Sequence, residues 1–212
     1  MTHPIQRIRT SGFAAALAGL LAWATDGSAA VVISVDMDPG TVGIQSVRLA
    51  SPGELITVDL IMTVGAEGVS SYSVSANFDT GELSLDGSPA ASYPALPAPL
   101  VAGAAAFEDS AMGKAWSFSA FTGGTGPSLT SFVFGKIKFM VTTPVTDLSE
   151  DVTPGFFNLP GALDSMFDNT LPVGSPIAPT FVGGYVNVVP EPGALACLTG
   201  GALALAFRRR RS

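Results

Sequence analysis

From Leu55 to Phe78 the chain alternates apolar and polar side chains with a period of two. Ile56, Val58, Leu60 and Met62 fall on one side of residues 55–64, with Thr57, Asp59, Ile61 and Thr63 on the other. Residues 69–78 repeat the pattern, setting Tyr72, Val74, Ala76 and Phe78 against Ser71, Ser73, Ser75 and Asn77. A period of two marks a strand with one face on a core, and the serine side predicts a face in water. Turn chemistry separates these strands from their neighbours: Pro39-Gly40, Ser51-Pro52-Gly53-Glu54, Asp79-Thr80-Gly81 and Asp86-Gly87. Shorter strands are predicted at 31–35, 42–49 and 83–85, the second with imperfect alternation.

Residues 88–99 hold four prolines and read as an extended loop, and 101–106 is ambiguous between strand and helical turn. Residues 115–121 predict a strand with Trp116, Phe118 and Ala120 on one face. Residues 129–141 predict one or two strands with Phe132, Phe134, Ile137 and Phe139 as core, and Gly135 marks a bulge where the register changes. Beyond Thr142 prolines recur and the chain reads as irregular, apart from a short strand at 156–158 and a final one at 181–188. No window carries helical periodicity. The predicted class is all-β, an antiparallel β-sandwich or jelly roll.

The two ends follow a different grammar. Arg7 and Arg9 precede an apolar stretch at 13–24 and the small residues Gly27-Ser28-Ala29-Ala30, the layout of a secretory signal peptide. At the other end Pro190-Glu191-Pro192 breaks regular structure. The 14 residues 194–207 then carry no charge, and Arg208, Arg209, Arg210 and Arg211 follow. That apolar run is shorter than the roughly 17–25 residues of a stable membrane helix, and the arginines would stay on the cytoplasmic side. The expected organisation is a signal peptide at 1–30, a sandwich core at 31–143, a proline-rich continuation with a final strand at 144–188, and a terminal anchor segment at 189–212.

The tripartite tail, spanning 189–212, resembles the PEP-CTERM sorting signal of exported proteins of Gram-negative bacteria. The resemblance implies export through the Sec machinery and transient anchoring in the inner membrane by a short C-terminal transmembrane helix. It further implies recognition of Pro190, Glu191 and Pro192 by an exosortase, with Arg208 to Arg211 setting orientation. The end point would be the cell surface or an extracellular matrix, often where exopolysaccharide is made. Within the body, Gly53-Glu54-Leu55-Ile56-Thr57-Val58-Asp59-Leu60, then Ala76-Asn77-Phe78-Asp79, and later Phe134-Gly135-Lys136-Ile137-Lys138-Phe139-Met140-Val141, resemble the strands of cohesin-like domains and related carbohydrate-binding modules. That resemblance implies a jelly-roll sandwich and transfers no partner-binding residue.

Charge and chemistry narrow the function. Between residues 31 and 188 only Arg48, Lys114, Lys136 and Lys138 oppose fifteen carboxylates, a net charge of about −11. Such a surface repels nucleic acid. The single histidine, His3, and the single cysteine, Cys197, lie in the end segments. The body therefore lacks the residues for a Ser-His-Asp or Cys-His triad and for histidine- or cysteine-ligated zinc.

Asp36 and Asp38 on the Pro39-Gly40 turn are candidate calcium ligands, because two hard oxygens on a tight turn suit a cation that takes 6 to 8 of them; the plain alternative is a solvated acidic turn. Asp164, Asp168 and Asn169 read as turn-capping residues, and the adjacent pairs Glu108-Asp109 and Glu150-Asp151 as solubility features. The glycine-rich 123–126 lacks the lysine of a phosphate loop and reads as a hairpin. Trp116, Tyr72, Tyr93 and Tyr185 could stack on sugars, although Trp116 sits on the same face as Phe118 and reads as core.

The expected protein is exported, exosortase-sorted and non-catalytic, binding carbohydrate or a protein partner at the surface or in a biofilm matrix, with no cofactor and with calcium at Asp36 and Asp38 as the one candidate ion. The alternatives are a secreted glycosidase-like enzyme using two carboxylates and a calcium-stabilised adhesion module.

Overall fold

The computed structural model describes residues 31–87, 89–103, 114–147, 149–157, 164–170 and 174–189. The expected signal helix, the C-terminal membrane helix and the strand position Asn158 lie outside them. Among the described residues there is no helix long and apolar enough to cross a membrane. The strands are β1 (Val32–Asp36), β2 (Val47–Ala50), β3 (Leu55–Val64), β4 (Ser71–Phe78), β5 (Leu83–Leu85), β6 (Ala91–Ser92), β7 (Val101–Ala102), β8 (Lys114–Phe121), β9 (Thr130–Val141), β10 (Val152–Gly155), β11 (Ser165–Phe167), β12 (Thr180–Val182) and β13 (Tyr185–Val188).

One sheet runs β12-β1-β3-β9-β5, with β6 also on β9. A second runs β10-β4-β8-β7, with β11 also on β4, and β13 pairs β2 separately. The alternation of β3 and β4 explains why two sheets face one another. Each strand has one apolar side to remove from water, and the two sides cover each other. Ile56, Val58, Leu60 and Met62 are buried from β3, and Tyr72, Val74, Ala76 and Phe78 from β4. Aromatic rings interdigitate across the gap: Phe134 of β9 lies edge-on to Tyr72 of β4 at 5.5 Å and to Phe118 of β8 at 5.9 Å, and Phe139 meets Phe78 at 5.3 Å.

The long hydrophobic stretch 129–141 is one strand, interrupted at the expected place. Leu60 pairs with Gly135 and Ile61 with Val133, so Phe134 is the extra residue of a bulge. Glycine is required beside it, because a Cβ on Gly135 would stand 2.6 Å from the Phe118 ring.

The structure corrects several expectations. The sandwich is not wholly antiparallel: β1 pairs β12 in parallel, and β2 pairs β13 in parallel. The expected final strand 181–188 is two strands in different sheets, because the chain crosses between them at Gly183-Gly184. Gly184 packs so tightly on Met37 that a Cβ would meet its sulfur at 2.4 Å, and its carbonyl accepts N–H donors from Asp151 and Val152. The late short strand is 152–155 rather than one starting at Phe156. Pro154 is tolerated there because β10 is an edge strand and needs no outward donor. The stretch read as irregular after Thr142 thus supplies β10 to β13, all paired to β1, β2 or β4. Residues 41–46 form no strand. Asp36 ties off the loop by accepting the N–H groups of Asp38 and Gln45, and Val42 stands 98% exposed.

The polar sides of the strands are also not simply wet. Asp59 is 5% exposed and sits opposite Asp36 in the β1–β3 register. Two carboxylates facing each other repel, and Lys136 answers them, its Nζ donating to both Asp59 oxygens at 2.7 and 2.6 Å. Removing one partner of a fully buried pair costs about 3–5 kcal/mol, and the partial exposure of this lysine scales that to about 1–3 kcal/mol for Lys136→Met. A double-mutant cycle in urea tests it. Asp59→Asn with Lys136→Met should recover most of the loss, whereas strictly additive effects would show that the two do not interact.

Candidate functional site

Three polar assemblies are candidates for a functional site among the described residues. The first is the Asp36/Asp38 turn. Asp36 Oδ1 accepts the Asp38 and Gln45 N–H groups, both at 3.1 Å. Asp38 accepts the Thr41 hydroxyl at 2.7 Å and Arg48 Nη1 at 2.9 Å, while Arg48 Nη2 donates to Glu54 at 2.9 Å. The guanidinium holds the Glu54 carboxyl below its usual range. Arg48 thus clamps the 37–45 loop onto the 51–54 turn, and its charge stands beside Asp38, where a calcium ion would be placed.

The second assembly was not legible in the sequence. Asp79 and Glu82 occupy the tight turn between β4 and β5, and Asp151 precedes β10. The Asp79 carbonyl accepts the N–H groups of Glu82 and Leu83, and Asp79 N–H donates to the Asp151 carbonyl at 2.9 Å, prolonging the β4–β10 ladder. That register brings one oxygen from each of the three carboxylates within 4.8 Å of the others. Asp79 is exposed; Glu82 and Asp151 are buried. Glu82 Oε2 accepts the Val145 N–H at 2.7 Å, and Asp151 Oδ2 accepts that of Val186. The other oxygen of Asp151 is buried with no hydrogen-bond partner. Burial pushes the Asp151 carboxyl up to about 6; the Val186 N–H pulls it down, and the charges of Glu82, Asp147 and Asp79 push it up again. Of the Glu150-Asp151 pair only Glu150 is exposed; Asp151 is buried, its carbonyl accepting the Asp79 N–H and its N–H donating to the Gly184 carbonyl.

The third is a cleft of about 210 Å³ lined by Ser70, Thr122, Gly124, Asp168, Asn169 and Thr170 among others. Asp168 caps a turn as expected, accepting N–H groups from Thr170 at 2.8 Å and Ser175 at 2.7 Å, which hold its carboxyl low. Asn169 brackets Gly126 with one donated and one accepted hydrogen bond. Asp168 is the single carboxylate among the described residues that line the cleft.

Asp164 reaches beyond its own loop to the sheet. Its carboxylate accepts the hydroxyls of Ser73, Ser75 and Ser117 and the Phe157 N–H, roofing the serine face of β4 and β8. Of the aromatic candidates, Tyr72 is core, and Tyr93 is half-buried with its hydroxyl accepting the Ser119 N–H at 2.9 Å. The Trp116 side chain, the Glu108-Asp109 pair, Pro190, Glu191, Pro192 and Arg208 to Arg211 lie outside the described residues.

The sandwich is similar to several solved cohesins. One is the sixth cohesin of scaffoldin B from Acetivibrio cellulolyticus, solved in complex with a dockerin. It is 17% identical with a TM-score of 0.47, over 76% of this chain and 99% of that one. A non-cellulosomal cohesin from the archaeon Archaeoglobus fulgidus is 14% identical at 0.48, over 79% and 97%. A cohesin module of a family 33 glycoside hydrolase from Clostridium perfringens is 11% identical at 0.46, over 76% and 99%. No curated protein matches the chain. A sequence-family model described as the PEP-CTERM protein-sorting motif matches residues 188–211. The chain carries a PEP-CTERM sorting motif behind an all-β sandwich, and that motif implies exosortase processing and an exported, cell-surface protein.

Proposed function

We propose that this protein is a non-catalytic component of the cell surface or biofilm matrix, whose sandwich binds polysaccharide or another surface protein. The sorting motif at 188–211 carries the reading. The chemistry of the body supports it. No histidine or cysteine lies between residues 31 and 188. The cleft beside β4 offers hydroxyl, amide and a single bonded carboxylate, groups that suit sugar hydroxyls better than they suit bond cleavage. An exposed apolar row running from Val42 and Ile44 into Val47 and Leu49 of β2 suits a protein partner.

Two measurements test it. Glu191→Ala, or removal of Arg208 to Arg211, is expected to retain the protein in the inner-membrane fraction and deplete it from the surface and medium; unchanged fractionation counts against the sorting role. The purified exported protein is expected to bind on a glycan array or to surface extracts without turnover. Polysaccharide cleavage abolished by a single Asp or Glu substitution would replace this reading with the glycosidase one.

A further inference from the structure

We infer that Asp79, Glu82 and Asp151 form a calcium site that pins the C-terminal strands to the sandwich. The geometry comes first. Two oxygens on opposite sides of a calcium ion stand about 4.6–5.2 Å apart, twice the usual calcium–oxygen distance, and closer when adjacent. The three carboxylate oxygens here all lie within 4.8 Å of one another, and so fit around one such ion. Magnesium, with bonds of about 2.0–2.1 Å and a strict octahedron, tolerates less variation in ligand placement than calcium does. All three donors are hard oxygens, which favours calcium over zinc or copper.

A second observation points to a ligand independently of the clustering. Asp151 is 2% exposed, its Oδ2 is committed to the Val186 N–H, and its Oδ1 is buried with no partner. A buried carboxylate oxygen left without a donor is costly. Among the described residues no cation relieves it: their ion pairs are Arg48 with Asp38 and Glu54, and Lys136 with Asp59. Asp147 adds a fourth negative charge nearby. Glu82 is likewise half committed, through Oε2 to Val145. Each buried carboxylate thus keeps one oxygen free, and exposed Asp79 leaves the remaining coordination positions open to water.

The consequence follows from what the residues hold. Asp151 reaches β13 through Val186 and Gly184, and Asp79 and Glu82 belong to the turn after β4. A cation between them would cross-link the centre of one sheet to the strand that leads into the sorting motif.

The test uses the full exported protein, stripped with chelator and then titrated with calcium or magnesium chloride. A dissociation constant near 0.1–1 mM, the range of extracellular calcium modules, predicts that roughly 10 mM calcium raises the melting midpoint by about 3–10 °C. Magnesium should give less than half of that. Asp151→Asn should abolish the shift. Asp79→Asn, at an exposed position that does not threaten folding, should weaken it several-fold, and Asp86→Asn should leave it intact. An unchanged midpoint with no heat of binding overturns the inference. So does a shift that survives Asp79→Asn and Asp151→Asn but disappears with Asp36→Asn and Asp38→Asn, which would place the ion on the first turn. An equal response to magnesium overturns the assignment to calcium.

Discussion

Replacing Phe134 by alanine is expected to destabilise the protein by about 3–5 kcal/mol, the range for a buried phenylalanine whose cavity cannot close. Its surroundings are braced from several sides. The ring is fully buried at the bulge of β9 and lies edge-on to both Tyr72 and Phe118. Phe118 is held in turn by Tyr93 at 5.4 Å and by the backbone of Gly135, against which it is already in close contact. Neither ring can slide into the vacated space without breaking its other contacts, so the cavity persists. At about 2–4 °C per kcal/mol for a domain of this size, the midpoint should fall by roughly 6–20 °C. Urea denaturation of wild type and variant measures it. A loss below about 1 kcal/mol would mean that the two sheets do not pack through this ring.

Asp164→Ala is the second large effect, and it acts through hydrogen bonds rather than volume. The carboxylate accepts from Ser75 Oγ at 2.7 Å, from Ser73 and Ser117 Oγ at 3.1 Å each, and from Phe157 N–H at 2.8 Å. Ser75 and Ser117 are almost wholly buried, so losing the acceptor strands their hydroxyls. Hydrogen bonds to a charged group contribute roughly 1.5–3 kcal/mol each. The Ser73–Ser117 contact at 3.1 Å survives and offsets part of that, leaving an expected loss of about 2–4 kcal/mol. Asp164→Asn, which keeps one acceptor oxygen, should fall between. Combining Asp164→Ala with Ser75→Ala should cost less than the sum of the two, because the hydroxyl that one change orphans is absent in the other. Full additivity would show that the roof over the serine face is not held by this carboxylate.

The serine face shows where legibility stopped. Ser71, Ser73 and Ser75 read as a water-facing side because period two reports only which residues share a face. What covers that face comes from Asp164, about ninety positions away. The same limit governs the proposed cation site. In the sequence Asp79 is part of a turn, Glu82 carries no signal, and Asp151 is half of a solvated pair. Only the antiparallel register of β10 on β4, Val152 opposite Phe78, sets their oxygens together. The parallel pairings of β12 and β13 were hidden for a related reason. Alternation marks a strand but carries no direction, and Gly183-Gly184 was read as part of one strand.

By itself the sequence determined the all-β class, the central strands β3, β4, β8 and β9 with their core faces, the bulge at Gly135, and the sorting motif at 188–211. These are local properties, written in side-chain period, in the one residue small enough to lie against Phe118, and in a contiguous motif. Tertiary structure alone decided the partners: which edge each late strand joins, that Lys136 answers Asp59, that Asp164 roofs the serines, and that Asp151 converges on Asp79 and Glu82. Those depend on register between segments far apart in the chain, where a shift of one residue would turn every side chain to the other face.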